Sequence, residues 1–193
     1  SQVRIGVSFC LLLIAHLLRR KLLLQISLIV CATLIHTATL LLVTIFLILS
    51  IFKKFLNNDQ KYLQFSLILP VFIMFFLNVA FLPILDFFGG AKDRTIYITN
   101  PIYSSIFFSL PWLFFSTMIV ILPKNDLIKK NIDYLAYAAS MGSLFFFSSV
   151  FQFYGSRFVA VSFPLFIISI NHLATQFRYI MFIILFLYQI IYF

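Results

Sequence analysis

Glutamate is absent from the 193 residues, and acid is confined to five aspartates, Asp59, Asp86, Asp93, Asp126 and Asp133. Any step that needs a carboxylate therefore has few candidates. Only two cysteines are present, Cys10 and Cys31, and both fall inside apolar stretches, where a thiol behaves as a small hydrophobe. Neither a disulfide framework nor a metal site is indicated. Glycine is scarce, and Gly89-Gly90 ahead of Lys92 is too short for a phosphate-loop signature. No internal repeat with a period of about 20 to 50 residues is visible. Arg4 comes too early for a secretory leader with a charged start and a cleavage site.

What is present is apolar. Hydrophobic residues fill 63% of the chain, against roughly 45–50% in soluble domains, and the mean hydropathy is +1.11. The runs lack the alternating polarity of an outer-membrane barrel, and in lipid only helices or closed barrels satisfy the backbone. An all-α, polytopic transmembrane bundle of about seven or eight helices is expected, as one transmembrane domain over 1–193. Net charge is +9, yet the lysines and arginines cluster in short breaks between apolar runs. They read as topology signals, and no nucleic-acid face is expected. The 27 phenylalanines suit lipid-facing positions and require no special function. Trp112 and tyrosines at segment ends fit interfacial belts.

Charged breaks divide the chain into apolar segments: Ile5 to Leu18, Leu22 to Phe52, Tyr62 to Leu85, Ile102 to Leu122, Tyr134 to Tyr154, Phe158 to Ile170 and Tyr179 to Phe193. The second is too long for one upright span, about 46 Å at 1.5 Å per residue against a hydrocarbon core of about 30 Å. Either one helix tilts strongly or two short ones meet near His36. As one helix, the basic residues fall almost equally on the two faces. As two, Arg19, Arg20, Lys21, Lys53, Lys54, Lys61, Lys124, Lys129, Lys130 and Arg178 gather on one face, leaving Arg4, Lys92, Arg94 and Arg157 on the other. That asymmetry is the one expected of a cytoplasmic side, so a break near His36 is favoured even though no Gly or Pro marks it.

In this topology Arg4, His36, Arg157 and the loop from Asp86 to Pro101 face outward. The first three helices, Ile5 to Leu18, Leu22 to Ile35 and Thr37 to Phe52, are too short for a full crossing. Their inner ends are pinned by charge. Their outer ends, with Arg4 and His36, should then lie sunken as the floor of a cavity that suits an anion.

Arg4-Ile5-Gly6, the basic break Arg19-Arg20-Lys21, His36-Thr37-Ala38 entering a third apolar run, and Tyr154-Gly155-Ser156-Arg157-Phe158 before a late one together form a pattern. It resembles the EpsG family and the related Wzy-type bacterial polysaccharide polymerases, over Arg4 to about Ser50 and Phe151 to about Ile170. Ile5 departs from the family, which often has Gln there. Members are generally longer, so the chain is expected to be the later half of one.

The resemblance implies a GT-C-like membrane glycosyltransferase of the bacterial cytoplasmic membrane. It would polymerise undecaprenyl-diphosphate-linked oligosaccharide repeat units, donor and acceptor alike, at the outer face. It implies no nucleotide sugar, no redox cofactor and no metal, and a chain-length regulator protein as a possible partner. Charge developing on the departing diphosphate would be met by Arg4 and Arg157, whose guanidinium groups bind phosphate bidentately, with Lys92 and Arg94 as further contacts. His36 would take the proton of the acceptor hydroxyl, or else hold diphosphate. Of the aspartates, only Asp86 and Asp93 lie outside and could act as base.

Blander assignments stand beside these. Arg4 and Arg157 can anchor helix ends by reaching to headgroups. His36 can be a buried histidine bonded to a backbone carbonyl or to Thr39, and Lys92-Asp93-Arg94 a solvated loop. His16 and His172 read as interfacial. A transporter or flippase component for lipid-linked saccharides, or a non-catalytic membrane subunit, would carry the same composition.

Overall fold

The computed structural model describes residues 2–17, 21–35, 39–77, 79, 106–122, 125–151, 156–171, 173 and 175–192. Among them are eight helices and no strand element, the all-α class expected. They group into two compact units, Ser1–Phe55 and Leu56–Phe193.

The first unit holds α1 (Gln2–Leu17), α2 (Leu22–Ile35) and α3 (Thr39–Phe55). The long apolar run is therefore two helices, one ending at Ile35 and the next beginning at Thr39, as the charge asymmetry indicated. α1 packs against α2, and α3 touches both. Four residues separate α1 from α2 and three separate α2 from α3. In α3 the buried residues Thr39, Leu42, Val43, Ile45 and Leu49 recur at helical spacing and form one stripe. The helix runs past Phe52, where the expectation ended it, through Lys53 and Lys54 in its last turn. Two ammonium groups there complement the carbonyl end of the helix dipole, so charge that limits an apolar run does not limit the helix.

The second unit holds α4 (Asp59–Phe76), α5 (Ile106–Ile121), α6 (Asn125–Val150), α7 (Ser156–Ile170) and α8 (Thr175–Tyr192). α4 starts ahead of the expected Tyr62 because Asn58 caps it. The Asn58 side-chain oxygen accepts from the amides of Gln60 and Lys61 at 2.8 and 3.2 Å, and Asp59 adds a negative charge to the first turn. α6 begins at Asn125, inside a stretch read from hydropathy as a loop reaching Asp133. Its first two turns are polar and still helical, since hydropathy reports lipid compatibility and not helicity.

α6 is the centre of this unit, packed against α4, α5 and α7. Two serine hydroxyls tie it to α4: Ser140 Oγ donates to the Ser66 carbonyl at 2.7 Å and Ser143 Oγ to the Leu67 carbonyl at 2.6 Å. The reason lies in Pro70 within α4. Proline has no N–H for the carbonyl four residues earlier, which is that of Ser66, and the neighbouring α6 supplies the missing donor. On its other side α6 is smooth. A Cβ added at Gly142 would come within 2.8 Å of the Trp112 carbonyl oxygen and 2.5 Å of the Phe166 ring, and would also strike the Ser116 hydroxyl. Only glycine allows α5 and α7 this close.

Trp112, fully buried, is the hub of that contact. Its ring meets Phe115, Phe145, Phe163, Phe166 and Tyr188 edge to face, at centroid distances of 5.9, 6.5, 6.3, 5.1 and 5.5 Å. One indole thereby links α5, α6, α7 and α8.

The outer surface is apolar as well. On α2, Leu23 is 83% exposed and Leu34 80%; on α8, Phe186 is 65% and Ile191 70% exposed. Cys10 and Cys31 are also exposed. Yet no helix among the described residues is long and apolar enough to cross a membrane. α1, α2, α3, α5 and α7 have 16, 14, 17, 16 and 15 residues, or about 21–26 Å at 1.5 Å each.

Candidate functional site: basic helix starts

Arg4 is the third residue of α1, in its first turn, and its side chain is exposed. One turn on, the buried Ser8 hydroxyl bonds back to the Arg4 carbonyl at 2.9 Å, which fills that acceptor locally. Arg157 is the second residue of α7. The arginine expected to precede an apolar helix therefore stands within its first turn. Neither first turn contains an acidic residue.

This is an unfavourable place for a cation. The unpaired N–H groups of a helix start carry a partial positive charge, and a basic side chain there adds to it, at a cost of about 0.3–1 kcal/mol near a surface. α4 shows the ordinary solution in the same chain, an asparagine cap and an aspartate in the first turn. α7 differs, with Arg157 and no acidic residue in its first turn.

A third helix start adds a polar group. Thr39, first in α3, is fully buried, and its Oγ1 has no hydrogen-bond partner among the described residues. The first turn of α3 also lacks an acidic residue. In the sequence Thr39 reads only as a hydrogen-bond partner for His36. The signal that marks it is its position directly after His36-Thr37-Ala38.

His36, Asp86, Lys92, Asp93 and Arg94 lie outside the described residues. Arg4 belongs to the first unit and Arg157 to the second. Among the described residues, no group of three or more His, Cys, Asp or Glu side chains could hold a metal ion.

The remaining polar features are structural. Gln60 Nε2 donates to the Val120 carbonyl at 2.9 Å, joining α4 to the end of α5. The buried Tyr62 hydroxyl donates to the Asp133 carboxylate, joining α4 to α6. Asp133 thereby has a packing role in the polar first part of α6. Arg178 Nη2 reaches the carbonyls of Asn171 and Leu173 at 2.9 and 3.4 Å, where the chain leaves α7. Compared with protein-family models, curated proteins and solved structures, the chain matches none.

Proposed function

We propose that this chain is part of a bacterial membrane glycosyltransferase that polymerises undecaprenyl-diphosphate-linked oligosaccharide repeat units at the outer face of the cytoplasmic membrane. The observation that carries the reading is Arg157 in the acid-free first turn of α7, together with the exposed Arg4 in α1. A basic residue in the first turn of a helix adds to the positive end of its dipole, a combination that suits a departing diphosphate. The order and spacing of Arg4, His36 and Arg157, which resemble the EpsG and Wzy-type polymerases, support the same chemistry. In it, Arg4, Arg157, Lys92 and Arg94 serve as diphosphate-binding residues, and His36, Asp86 or Asp93 receives the acceptor proton.

Membrane residence is part of the proposal. Exposed leucine, isoleucine and phenylalanine on α2, α3 and α8 favour hydrocarbon over water, at about 25 cal/mol per Å² transferred. Short helices are accommodated by local thinning of the bilayer and by basic residues reaching to headgroups, at fractions of a kcal/mol per Å.

The test is incubation of the full-length protein, purified in lipid, with a lipid-linked repeat unit. The expected products are oligosaccharides of increasing length and free undecaprenyl diphosphate. Movement of substrate between leaflets with no diphosphate released would instead identify a flippase component. No product and no movement would leave a non-catalytic subunit.

A further inference from the structure

We infer that the last turn of α3 docks on the headgroups of anionic phospholipids, an inference that rests on the membrane residence proposed above and adds the class of lipid. It does not depend on the polymerase chemistry.

The first observation is charge. The unit Ser1–Phe55 carries six basic residues, Arg4, Arg19, Arg20, Lys21, Lys53 and Lys54, and none of the five aspartates. The unit has no carboxylate side chain of its own to balance them. Asp59, the first aspartate along the chain, lies in the first turn of α4, where it complements that helix start. Lys53 and Lys54 stand in the last turn of α3. The carbonyl end of a helix carries about half a negative charge, so two ammonium groups leave this turn net positive.

The second observation is exposure. Earlier in α3 the side chains of Leu42, Ile45 and Leu49 are buried, whereas from Ile51 to Phe55 every residue is exposed. Consecutive residues on a helix go once round its axis within about four positions, so this turn presents exposed side chains on all sides. Phe55 is 75% exposed, with Ile51 and Phe52 exposed in the same stretch. A small anion in water gains nothing from exposed rings. A lipid surface uses both kinds of side chain: the apolar ones enter the boundary between headgroups and acyl chains, and the lysine stems reach out so that the ammonium groups stay at the phosphates. A headgroup with a net negative charge adds attraction that a zwitterionic one lacks, about fivefold in affinity for each lysine near the surface.

The experiment counts lipid on the protein. The full-length protein in a neutral detergent is titrated with phosphatidylglycerol and, separately, with phosphatidylcholine, and bound lipid is followed by native mass spectrometry. The wild type should bind phosphatidylglycerol at least about fivefold more tightly. Lys54→Gln, at an exposed position, should lower that preference about fivefold, and Lys54→Arg should keep it within about twofold of the wild type. Phe55→Ala should weaken both lipids alike and leave their ratio unchanged. Lys21→Gln removes a charge from the same unit away from the last turn of α3 and should change the preference by less than about twofold.

Equal affinity for the two lipids in the wild type, or an unchanged preference in Lys54→Gln, would overturn the docking surface. An equal loss in Lys21→Gln would also overturn it, by placing the preference on the charge of the whole unit. So would displacement of phosphatidylglycerol by inorganic phosphate at matched concentration, the mark of a plain anion site. Flotation with phosphatidylcholine liposomes tests membrane residence separately. A protein that floats with them and shows no preference for phosphatidylglycerol keeps the membrane reading and loses this inference; one that floats with no liposome loses the membrane reading itself.

Discussion

The two units use their small polar residues differently. In the second, Ser140, Ser143, Gln60 and Tyr62 reach across to another helix, to the carbonyls of Ser66, Leu67 and Val120 and to the Asp133 carboxylate. In the first, Ser8, Ser27, Thr33 and Thr44 bond back within their own helices. Back-bonded hydroxyls occur in the second as well, at Ser66, Ser109, Thr117 and Ser148, and among the described residues each unit encloses unpartnered hydroxyls, Thr39 in the first and Ser116 and Ser169 in the second. Hydrogen bonds that span helices fix a frame, and we read the second unit as such a frame around Trp112.

The sharpest way to break this contrast is to remove the hub. Trp112→Ala should cost about 3–5 kcal/mol, since it strips the shared contact of α5, α6, α7 and α8, and chemical denaturation in detergent would measure it. A loss below about 1 kcal/mol would mean that the aromatic cluster does not hold the scaffold. Next is Gly142→Val, which forces a side chain against the Trp112 carbonyl and the Phe166 ring; a loss of about 1–3 kcal/mol is expected in the same measurement.

A smaller effect tests the origin of the cross-helix bonds. Ser140→Ala should cost about 1 kcal/mol, because the Ser66 carbonyl loses its donor. In a Pro70→Ala background that cost should shrink, as an alanine in place of the proline supplies an N–H to the same carbonyl. A double-mutant cycle with no coupling would refute the link to proline. Smallest in energy, though decisive for topology, is thiol labelling. With Cys10 and Cys31 replaced by serine, Lys92→Cys should react with an impermeant reagent from outside the cell and Lys124→Cys should not.

Much of the helix inventory was legible in the chain because apolar runs and charged breaks are local signals. The division of 22–52 was legible for a less local reason, the balance of basic residues it leaves on each side. Helix ends were harder. Hydropathy stops at Lys53 and before Tyr134, but helix does not: Lys53 and Lys54 suit the carbonyl end of α3, and the polar start of α6 is helical through Asp133. Pairings such as Ser140 with Ser66 were illegible, since nothing local connects residues so far apart, although Pro70 and the small run Ala138-Ala139-Ser140 with Gly142 mark the two partners. At the site, Arg4 and Arg157 stood out as charge in apolar surroundings.

The central proposal is that the guanidinium groups of Arg4 and Arg157 stabilise charge on the departing lipid diphosphate. The direct measurement is the rate of oligomer formation and diphosphate release by the full-length protein with Arg4 or Arg157 replaced by alanine, in samples shown to be folded and inserted. Each replacement should lower the rate by about a hundredfold or more, the scale set by losing one preorganised charge-stabilising group. Wild-type rates and product lengths in both variants would contradict the account.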